Sequence, residues 1–471
     1  MKDIRFGIRV VSLIMASLIL FVCAAYIVTI HVNGDRWINR ANNTRLADAK
    51  KTTVQGSIFD SSGVLLAGSS EPGERHYIAD TDMRRALSHT IGEQTIMSST
   101  GVENFHSSTL LGFSTTRTGY TLQRLAGQDP IGNDIHLTVS AELTKYAMSV
   151  FPQWNNGAIV VINYKTGAIL CMVSMPNFDP ANMGQAVQDT AYYNRVVQKR
   201  YAPGSTFKII TLASALENLP ETQNEAFSCM GVWNSNTFSL KCAGTTAHGD
   251  MTLKQAFAKS CNITFATIAY RLGADQMRET AENFGFNYEF IFPDTILNES
   301  RCLKKGSKPT DAIQAGIGQG TVEVTPLHMA MIAGSIANGG VMMEPKLIKK
   351  VVSATGYVMR EMEPVVFKNS LSPENAVLIA EYMYDTVRGG TATRAAISGY
   401  KDGYVCGKTG SAEWTDDETK ETNAWYTGFL YGDDAHPYAI AVVVEEGGSG
   451  GSTAAPIASK VLKKAIELGL Y

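Results

Sequence analysis

Ser205 and Lys208 are the first pair of residues whose types and spacing could support chemistry. They close the segment Tyr201-Ala-Pro-Gly-Ser-Thr-Phe-Lys208, in which a Pro-Gly pair precedes an apolar run with helical periodicity. The serine is therefore predicted at a helix start, where free N–H groups and the helix dipole favour negative charge. Residues three apart share one helix face, so a lysine with a lowered pKa can accept the proton of the serine hydroxyl. Alone the pattern is weak, because Ser-x-x-Lys occurs by chance about once in a chain of this length.

Two further polar groups follow along the chain. Ser260-Cys-Asn262 comes after the helical run Leu253–Lys259 and offers a hydroxyl and a carboxamide, which can pass a proton to a leaving amine and hold a substrate amide. Lys408-Thr-Gly-Ser411 lies on a predicted strand, where lysine and threonine can bind a carboxylate and Gly410 permits close backbone approach. A peptide laid along that strand edge would be held by main-chain hydrogen bonds.

The elements that must position these groups follow from the periodicity of the apolar residues. Strands are predicted at Ala158–Asn163, Ile169–Ser174, Val405–Ser411, Trp425–Leu430 and Tyr438–Glu446. Helical segments are predicted at Thr206–Leu216, Leu253–Leu272, Pro326–Ala337 and Ala454–Leu468. Two strands, a helical insertion, three strands and a final helix predict one domain of roughly 320 residues that carries its site between sheet and helices.

The N-terminal part carries a run of 23 residues without Asp, Glu, Lys or Arg, from Val10 to Val32. A helix of that length spans the hydrocarbon core of a bilayer, and the basic residues before it predict a cytoplasmic N-terminus. A cleaved signal peptide is the alternative, but its apolar region is shorter and ends at a small-x-small site. The predicted division is a tail at 1–9, a transmembrane signal-anchor at 10–32, a small β-rich pedestal domain at 33–150 and a large domain at 151–471.

Composition excludes one class of partner. The net charge is −3, and only 18% of the 471 residues are charged. A chain without a basic excess has little with which to displace counterions from a phosphate backbone. No nucleic-acid partner is expected.

Six cysteines follow the predicted span, in a part of the chain expected outside the cytoplasm. Cys229 and Cys242 are close enough in sequence for a disulfide that closes a short surface loop, and two free thiols are the alternative. Because no Cys-x-x-Cys pair or histidine cluster accompanies them, the sequence predicts no metal site.

The three polar groups together, in the order Ser-x-x-Lys, Ser-x-Asn and Lys-Thr-Gly, match the signature of penicillin-binding proteins and related serine β-lactamases. The chain resembles the class B penicillin-binding proteins, the membrane-anchored D,D-transpeptidases of bacterial cell-wall synthesis. The resemblance extends over nearly all of the chain. Besides the three groups, it includes Gly157–Gly167, Met175-Pro-Asn-Phe-Asp-Pro180, Gly316-Ile-Gly-Gln-Gly320, Thr325-Pro-Leu327, Ala337-Asn-Gly-Gly340 and Ala454-Ala-Pro456.

The resemblance implies an α+β transpeptidase domain, with a five-stranded antiparallel sheet flanked by helices, on a small β-rich pedestal behind one transmembrane helix. It implies Ser205 as nucleophile, Lys208 as base, Ser260 as proton shuttle and Asn262 as the orienting amide. Lys408, Thr409 and Gly410 would bind the substrate, and the N–H groups of Ser205 and Ser411 would form the oxyanion hole.

The implied reaction cross-links stem peptides ending in D-Ala-D-Ala without a cofactor. β-Lactams would act as covalent inhibitors, and a membrane-embedded glycan polymerase is the expected partner of an enzyme at the outer face of the membrane. The sequence leaves open a D,D-carboxypeptidase and a non-catalytic receptor for β-lactams or stem peptides. A β-lactamase is a further alternative, because Asp294-Thr-Ile-Leu-Asn298 is similar to the segment that carries the deacylating carboxylate of class A β-lactamases.

Overall fold

The computed structural model of the chain describes residues 2–38, 44–95, 97–113, 127, 131–183, 189–234, 239–242, 247–412 and 422–470. The helices are α1 Lys2–Ile38, α2 Thr44–Thr52, α3 Thr81–Ala86, α4 Ser88–Ile91, α5 Val102–Phe105, α6 Ser107–Leu110, α7 Ala141–Ser149, α8 Lys208–Asn218, α9 Leu253–Ala258, α10 Asn262–Asn283, α11 Pro309–Gly316, α12 Pro326–Ala337, α13 Pro373–Gly389 and α14 Ala454–Leu468.

The strands of the N-terminal part and of the helical insertion are short. They are β1 Ile58–Phe59, β2 Leu65–Gly68, β3 His76–Tyr77, β4 Asp134–Leu137, β7 Ala226–Cys229, β8 Val232–Asn234, β9 Ser239–Lys241, β10 Gly249–Thr252, β11 Val341–Met343, β12 Ile348–Val352, β13 Val358–Glu361 and β14 Val366–Asn369. The longer strands are β5 Gly157–Asn163, β6 Ile169–Met175, β15 Tyr404–Ala412, β16 Asn423–Tyr431 and β17 Tyr438–Val444.

The long strands form an antiparallel five-stranded sheet in the order β15-β16-β17-β5-β6. Every residue of β5 is buried, and alternate residues face opposite sides: Val160 packs in one apolar cluster and Val161 in the other. Both faces of the sheet are covered, which explains why its strands are apolar throughout rather than alternating. The predicted α+β fold with an antiparallel sheet is confirmed, and β15, the strand of the Lys408 group, lies at its edge.

One helix of the insertion between β6 and β15 and the C-terminal helix cover the two faces of this sheet. Helix α12 packs against β16 and β17 on one face of the sheet, and the C-terminal helix α14 packs on the other. The predicted bounds of α12 and α14 agree with the structure. The run predicted as one helix from Leu253 to Leu272 is instead two helices, α9 and α10, which are separated at residues 259–261.

The N-terminal part forms a second sheet, in the order β13-β12-β4-β1-β2-β3. Strands β1 and β2 form a hairpin around Asp60, whose carboxylate accepts backbone hydrogen bonds from Ser62 and Val64 within the turn. Strands β12 and β13 come from far along the chain and complete this sheet beside β4. The predicted pedestal at 33–150 is therefore built together with a hairpin from residues 348–361.

Helix α1 precedes both sheets. Within the described residues it contains the one stretch long and apolar enough to cross a membrane, Phe6–Thr29, with a mean hydropathy of 2.6 and no burial against the rest of the chain. An apolar helix of this length that is not buried against the rest of the chain is typical of a membrane anchor or of a signal sequence.

A buried ion pair joins helix α3 of the N-terminal part to the segment that follows β6. Arg84 of α3 donates to both carboxylate oxygens of Asp179, at 2.5 and 2.8 Å, and both side chains are less than a tenth exposed. Hydrogen bonding to Arg84 lowers the pKa of Asp179 to about 2. Asp179 belongs to the Met175–Pro180 segment at the end of β6, so this pair holds the chain that leaves the five-stranded sheet against helix α3.

We expect Asp179→Asn to lower the free energy of unfolding by roughly 3–5 kcal/mol, because it leaves the Arg84 charge buried without a counter-charge. Urea denaturation of the full chain in detergent, followed by tryptophan fluorescence, measures the change. Asp48→Asn is the matched control, since Asp48 pairs with Lys51 in an exposed ion pair whose loss should cost about 1 kcal/mol or less. Equal unfolding midpoints for the two variants would contradict a structural role for the junction.

Candidate active site

Ser205 lies in a single 3-10 turn, Gly204–Phe207, which leads directly into helix α8 at Lys208. The Lys208 N–H donates to the Ser205 carbonyl, and side chains three apart eclipse in a 3-10 turn. Ser205 is partly exposed, whereas Lys208 is fully buried. The turn therefore places the partly exposed Ser205 one turn before the buried Lys208.

Glycine contacts fix the position of this turn. The Gly204 N–H donates to the Gly318 carbonyl at 3.0 Å, and a Cβ on Gly318 would lie 2.0 Å from the Gly204 carbonyl oxygen. A Cβ on Gly204 would in turn lie 2.7 Å from the Ser411 carbonyl oxygen on β15. The Ser205 turn is thus held between the Gly316–Gly320 loop and the edge strand at distances that only glycine allows.

Ser260 lies at the break between α9 and α10 and has a left-handed φ of +57°. That conformation is costly for a residue with a Cβ, so the surrounding structure must hold it. Helix α10 begins again with the Cys261 sulfur as its N-cap, which accepts from the Thr264 N–H. The break directs both the carbonyl and the hydroxyl of Ser260 toward Lys208.

Three oxygens surround the Lys208 amine. Its Nζ donates to the Ser260 carbonyl oxygen and to Asn262 Oδ1, both at 2.7 Å, and lies 3.3 Å from Ser260 Oγ. Asn262 is oriented by a hydrogen bond from its Nδ2 to the Lys241 carbonyl at 3.0 Å. The two short bonds use both protons of a neutral amine, which leaves its lone pair free to accept a proton.

Burial lowers the pKa of Lys208 to about 7, while the thiols of Cys261 and Cys242 oppose that shift. The positive form loses its hydration in this site, and the surrounding oxygens are neutral acceptors. A neutral Lys208 can therefore remove a hydroxyl proton near neutral pH.

Lys408 reaches the same hydroxyl from the edge strand. Its Nζ donates to Ser260 Oγ at 2.9 Å and to the Thr409 carbonyl at 3.1 Å, and its side chain is fully buried. Burial and the neighbouring Lys208 lower the pKa of Lys408 well below its usual value. An incoming carboxylate would restore the charge of Lys408, which suits a residue that recognises an anionic end of a substrate.

Thr391 is a site residue that the sequence did not reveal. Its Oγ1 lies 2.6 Å from Thr409 Oγ1, so two hydroxyls stand together beside Lys408. Thr391 follows helix α13 and is held by a backbone hydrogen bond to Ala258, at the end of α9. Thr391 lies far from the predicted site residues in sequence and in no motif, so only the fold reveals it.

Gly410 and Ser411 lie beside the Ser205 turn. A Cβ on Gly410 would be 2.7 Å from the Pro203 carbonyl oxygen, so the strand and the turn approach at backbone distance. Ser411 is exposed, and its Oγ accepts from the Gly450 N–H at 3.3 Å. The glycine-rich loop after β17 therefore closes over this end of the strand.

Asp294, the position that resembles a deacylating carboxylate, lies outside this cluster. Its carboxylate accepts from Arg360 Nη2 at 3.0 Å and from the Ile348 N–H at 3.3 Å, and its carbonyl accepts from His106. These partners belong to the N-terminal sheet and its helices. Asp294 therefore contacts the N-terminal sheet and not the candidate site, which removes the structural basis of the β-lactamase alternative.

Cys229 and Cys242 lie side by side with their sulfurs 3.6 Å apart, compared with about 2.05 Å in a disulfide. All cysteines of the described residues are free thiols. His248 and Cys261 join the pair, and this four-residue cluster is absent from the sequence prediction. The spacing Cys-x12-Cys-x5-His-x12-Cys contains none of the short ligand pairs that identify metal sites in a sequence.

The family profile and the related proteins that match this chain indicate the same family. The profile of the penicillin binding protein transpeptidase domain matches residues 157–463. The chain is 28% identical to the peptidoglycan D,D-transpeptidase PbpA of Mycolicibacterium smegmatis, over 98% of this chain and 99% of that protein. It is 31% identical to the PbpA of Mycobacterium tuberculosis, over 72% of this chain and 74% of that protein.

A solved structure agrees with these relatives. The ceftriaxone acyl-enzyme complex of penicillin-binding protein A from M. tuberculosis superimposes with a TM-score of 0.79 at 27% identity. The superposition covers 89% of this chain and 100% of that one. The fold similarity therefore includes the N-terminal sheet as well as the sheet that carries the candidate site.

We expect Gly318→Ala to slow covalent labelling by a fluorescent penicillin about 100-fold, because its Cβ must displace the Gly204 carbonyl and with it Ser205. A misplacement of about 1 Å can cost this much. Gly356→Ala is the control: its φ of +85° is similar to the +75° of Gly318, but a Cβ there meets nothing within 4 Å. If both variants label at the same rate, the contact between Gly318 and Gly204 does not position Ser205.

Proposed function

The chain belongs to the penicillin-binding protein transpeptidases, and from this membership we propose a peptidoglycan D,D-transpeptidase that β-lactams acylate at Ser205. The names of the relatives give the reaction class, and the acyl-enzyme complex of the solved relative gives the chemistry of inhibition. The single observation that carries the assignment of residues is the buried amine of Lys208, one 3-10 turn from Ser205.

Ser205 is the nucleophile and Lys208 is its base. Ser205 Oγ forms an ester with the carbonyl carbon of the penultimate D-Ala, while the bond from that carbon to the nitrogen of the terminal D-Ala breaks. Lys208 accepts the hydroxyl proton, and Ser260, whose Oγ lies 3.3 Å from Lys208 Nζ, passes a proton to the departing amine. The terminal D-Ala leaves with its amine neutral, and the stem peptide stays bound as an acyl-enzyme.

The second half of the reaction uses the same groups in reverse. The amine of a second stem peptide attacks the ester carbon, its proton returns to Ser205, and an amide cross-link is released. Asn262 holds Lys208 through the 2.7 Å hydrogen bond and orients the substrate amide. No cofactor enters these steps.

The tetrahedral intermediate places negative charge on the former carbonyl oxygen. We assign its stabilisation to the backbone N–H groups of Ser205 and Ser411, and the close approach of the Ser205 turn to β15 at Gly204 and Gly410 supports this assignment. Each such donor lowers the barrier of the reaction by about 3 kcal/mol.

Recognition of the donor peptide belongs to the edge strand β15. An extended peptide can add to this edge by main-chain hydrogen bonds. Its terminal carboxylate would meet the Lys408 ammonium and the Thr409 hydroxyl, with Thr391 beside them. The proposed substrate is therefore an extended peptide that ends in D-Ala-D-Ala.

The location follows from helix α1. The basic residues Lys2 and Arg5 precede the apolar stretch Phe6–Thr29, and Arg9 lies in its first turn. By the positive-inside rule, the N-terminus is then in the cytoplasm and the catalytic domain is outside. We infer that the helix remains as a single-pass anchor. Cross-linking needs newly polymerised glycan strands at the same membrane face, so the proposed partner is a membrane-embedded glycan polymerase.

Gel labelling with a fluorescent penicillin tests the nucleophile. We expect the full chain in detergent to carry the label and Ser205→Ala to carry none, because the alanine has no oxygen to acylate. Ser149→Ala, an exposed serine at the end of α7, should label like the wild type.

A synthetic peptide ending in D-Ala-D-Ala, incubated with a D-amino acid acceptor, then separates transfer from hydrolysis. Exchange of the terminal residue for the acceptor is the expected product. Label on Ser205→Ala would overturn the choice of nucleophile, and hydrolysis without exchange would assign a carboxypeptidase.

The acylation rate should rise with pH about tenfold per unit below pH 7 and level off above it, because only neutral Lys208 accepts the proton and its pKa is about 7. Lys208→Arg should be slower by about 10²–10⁴-fold, since a guanidinium does not deprotonate. Lys51→Arg, on the exposed surface of α2, is the control and should keep the wild-type profile. A flat profile for the wild type between pH 5 and 9 would exclude Lys208 as the titrating base.

A further inference from the structure

Four side chains with metal-binding atoms meet behind the Ser260–Asn262 segment. Cys229 ends β7, Cys242 follows β9, His248 precedes β10, and Cys261 caps helix α10. One ligand atom from each residue, three sulfurs and one imidazole nitrogen, lies within 4.8 Å of all the others. The three cysteines are buried, and the histidine is half-buried.

Three of the six distances between these atoms match the edges of a tetrahedron around one ion, and the other three are at most 4.8 Å. The sulfurs of Cys229 and Cys242 are 3.6 Å apart, those of Cys242 and Cys261 are 3.7 Å apart, and His248 Nδ1 lies 3.5 Å from the Cys229 sulfur. Zinc–sulfur bonds of about 2.3 Å and zinc–nitrogen bonds of about 2.0 Å in tetrahedral geometry give edges of about 3.8 and 3.5 Å. The cluster therefore has the size of a zinc site before any ion is added.

The donor set selects the metal. Three thiolates and one imidazole are soft and borderline ligands, which suit Zn²⁺ and not the oxygen-seeking Mg²⁺ or Ca²⁺. Four protein ligands leave no open position for water or substrate, as in structural rather than catalytic zinc sites. The Cys261 sulfur also accepts from the Thr264 N–H at 3.4 Å and from Thr264 Oγ1 at 3.3 Å. Hydrogen bonds of this kind stabilise a ligating thiolate and orient it.

We propose that Cys229, Cys242, His248 and Cys261 bind one zinc ion that fixes the Ser260–Asn262 segment in its working position. Cys261 stands between Ser260 and Asn262 in the chain, so a metal bond to its sulfur restrains both neighbours. Lys241, which precedes the ligand Cys242, accepts the orienting hydrogen bond of Asn262. The ion would thus act on the contacts of Lys208 both through Cys261 and through Cys242. This positioning role rests on the proposed function of Lys208, Ser260 and Asn262.

Metal content is the direct test. The full chain is purified in detergent under reducing conditions, without a metal-affinity column, and zinc is measured by mass spectrometry. We expect about one zinc per chain. Cobalt(II) exchanged into the wild type should show the intense d–d absorption and the sulfur-to-metal charge-transfer bands of tetrahedral thiolate coordination. This spectrum supports the ligand set without depending on the folding of any variant.

Variants separate the four ligands from the other thiols. Cys229→Ser and His248→Gln should weaken zinc binding more than about 100-fold, the upper range for loss of an outer-shell partner. Cys302→Ser removes a buried thiol outside the cluster and should keep the metal. The ligand variants should also acylate more slowly with penicillin, while Cys302→Ser keeps the wild-type rate.

The outcomes for the metal and for the activity are distinguishable. A zinc-free wild type that remains zinc-free after zinc is added under reducing conditions overturns the site, whatever its acylation rate. So does a Cys229–Cys242 disulfide, found when an alkylating mass tag reacts with those thiols only after reduction. Zinc bound by a chain that penicillin does not label would uphold the site and overturn the proposed function. Zinc loss without any change in acylation would overturn the positioning role.

Discussion

The hydroxyl oxygen of Ser260 lies within 3.3 Å of the amine nitrogens of both Lys208 and Lys408, and this shared contact constrains the whole cleft. Both amines are fully buried, so two full positive charges there would be repelled by each other and deprived of water. We therefore expect at most one of the two amines to be protonated at a time. In the proposed function, a substrate carboxylate would resolve this competition, because it would hold the charge at Lys408 and leave Lys208 neutral. Substrate binding and activation of the proposed base would then be coupled through one oxygen.

The fold meets this constraint by bringing three distant segments together, two of them at backbone distance. The Ser205 turn, the break at Ser260 and the edge strand around Lys408 are separated by tens to hundreds of residues. Contacts that only glycine permits, at Gly204 and Gly410, lock the turn to the strand without side chains between them. The glycines of these motifs serve packing of one backbone on another.

The sequence reveals those parts of the fold and site that depend on local periodicity and local spacing. The bounds of α12 and α14 and the centres of the five long strands follow from apolar patterning alone. Contacts between distant parts do not follow from it. The pairing of β12 with β4, the hydroxyl of Thr391 beside Thr409, and the gathering of three cysteines around His248 depend on topology, which leaves no period or short motif to detect.

The break at Ser260 shows why helical periodicity misleads at a functional position. In a continuous helix the Ser260 carbonyl would accept from the N–H of Thr264, four residues on. Here that N–H is bound by the Cys261 sulfur, and the carbonyl is free to accept from Lys208 at 2.7 Å. The left-handed conformation of Ser260 is the cost of turning one helical hydrogen bond into a lysine contact. The apolar residues before and after Ser260 keep their helical spacing, because helices α9 and α10 pack on the same core. The apolar pattern therefore predicts one continuous helix, whereas the proposed chemistry needs a break at Ser260.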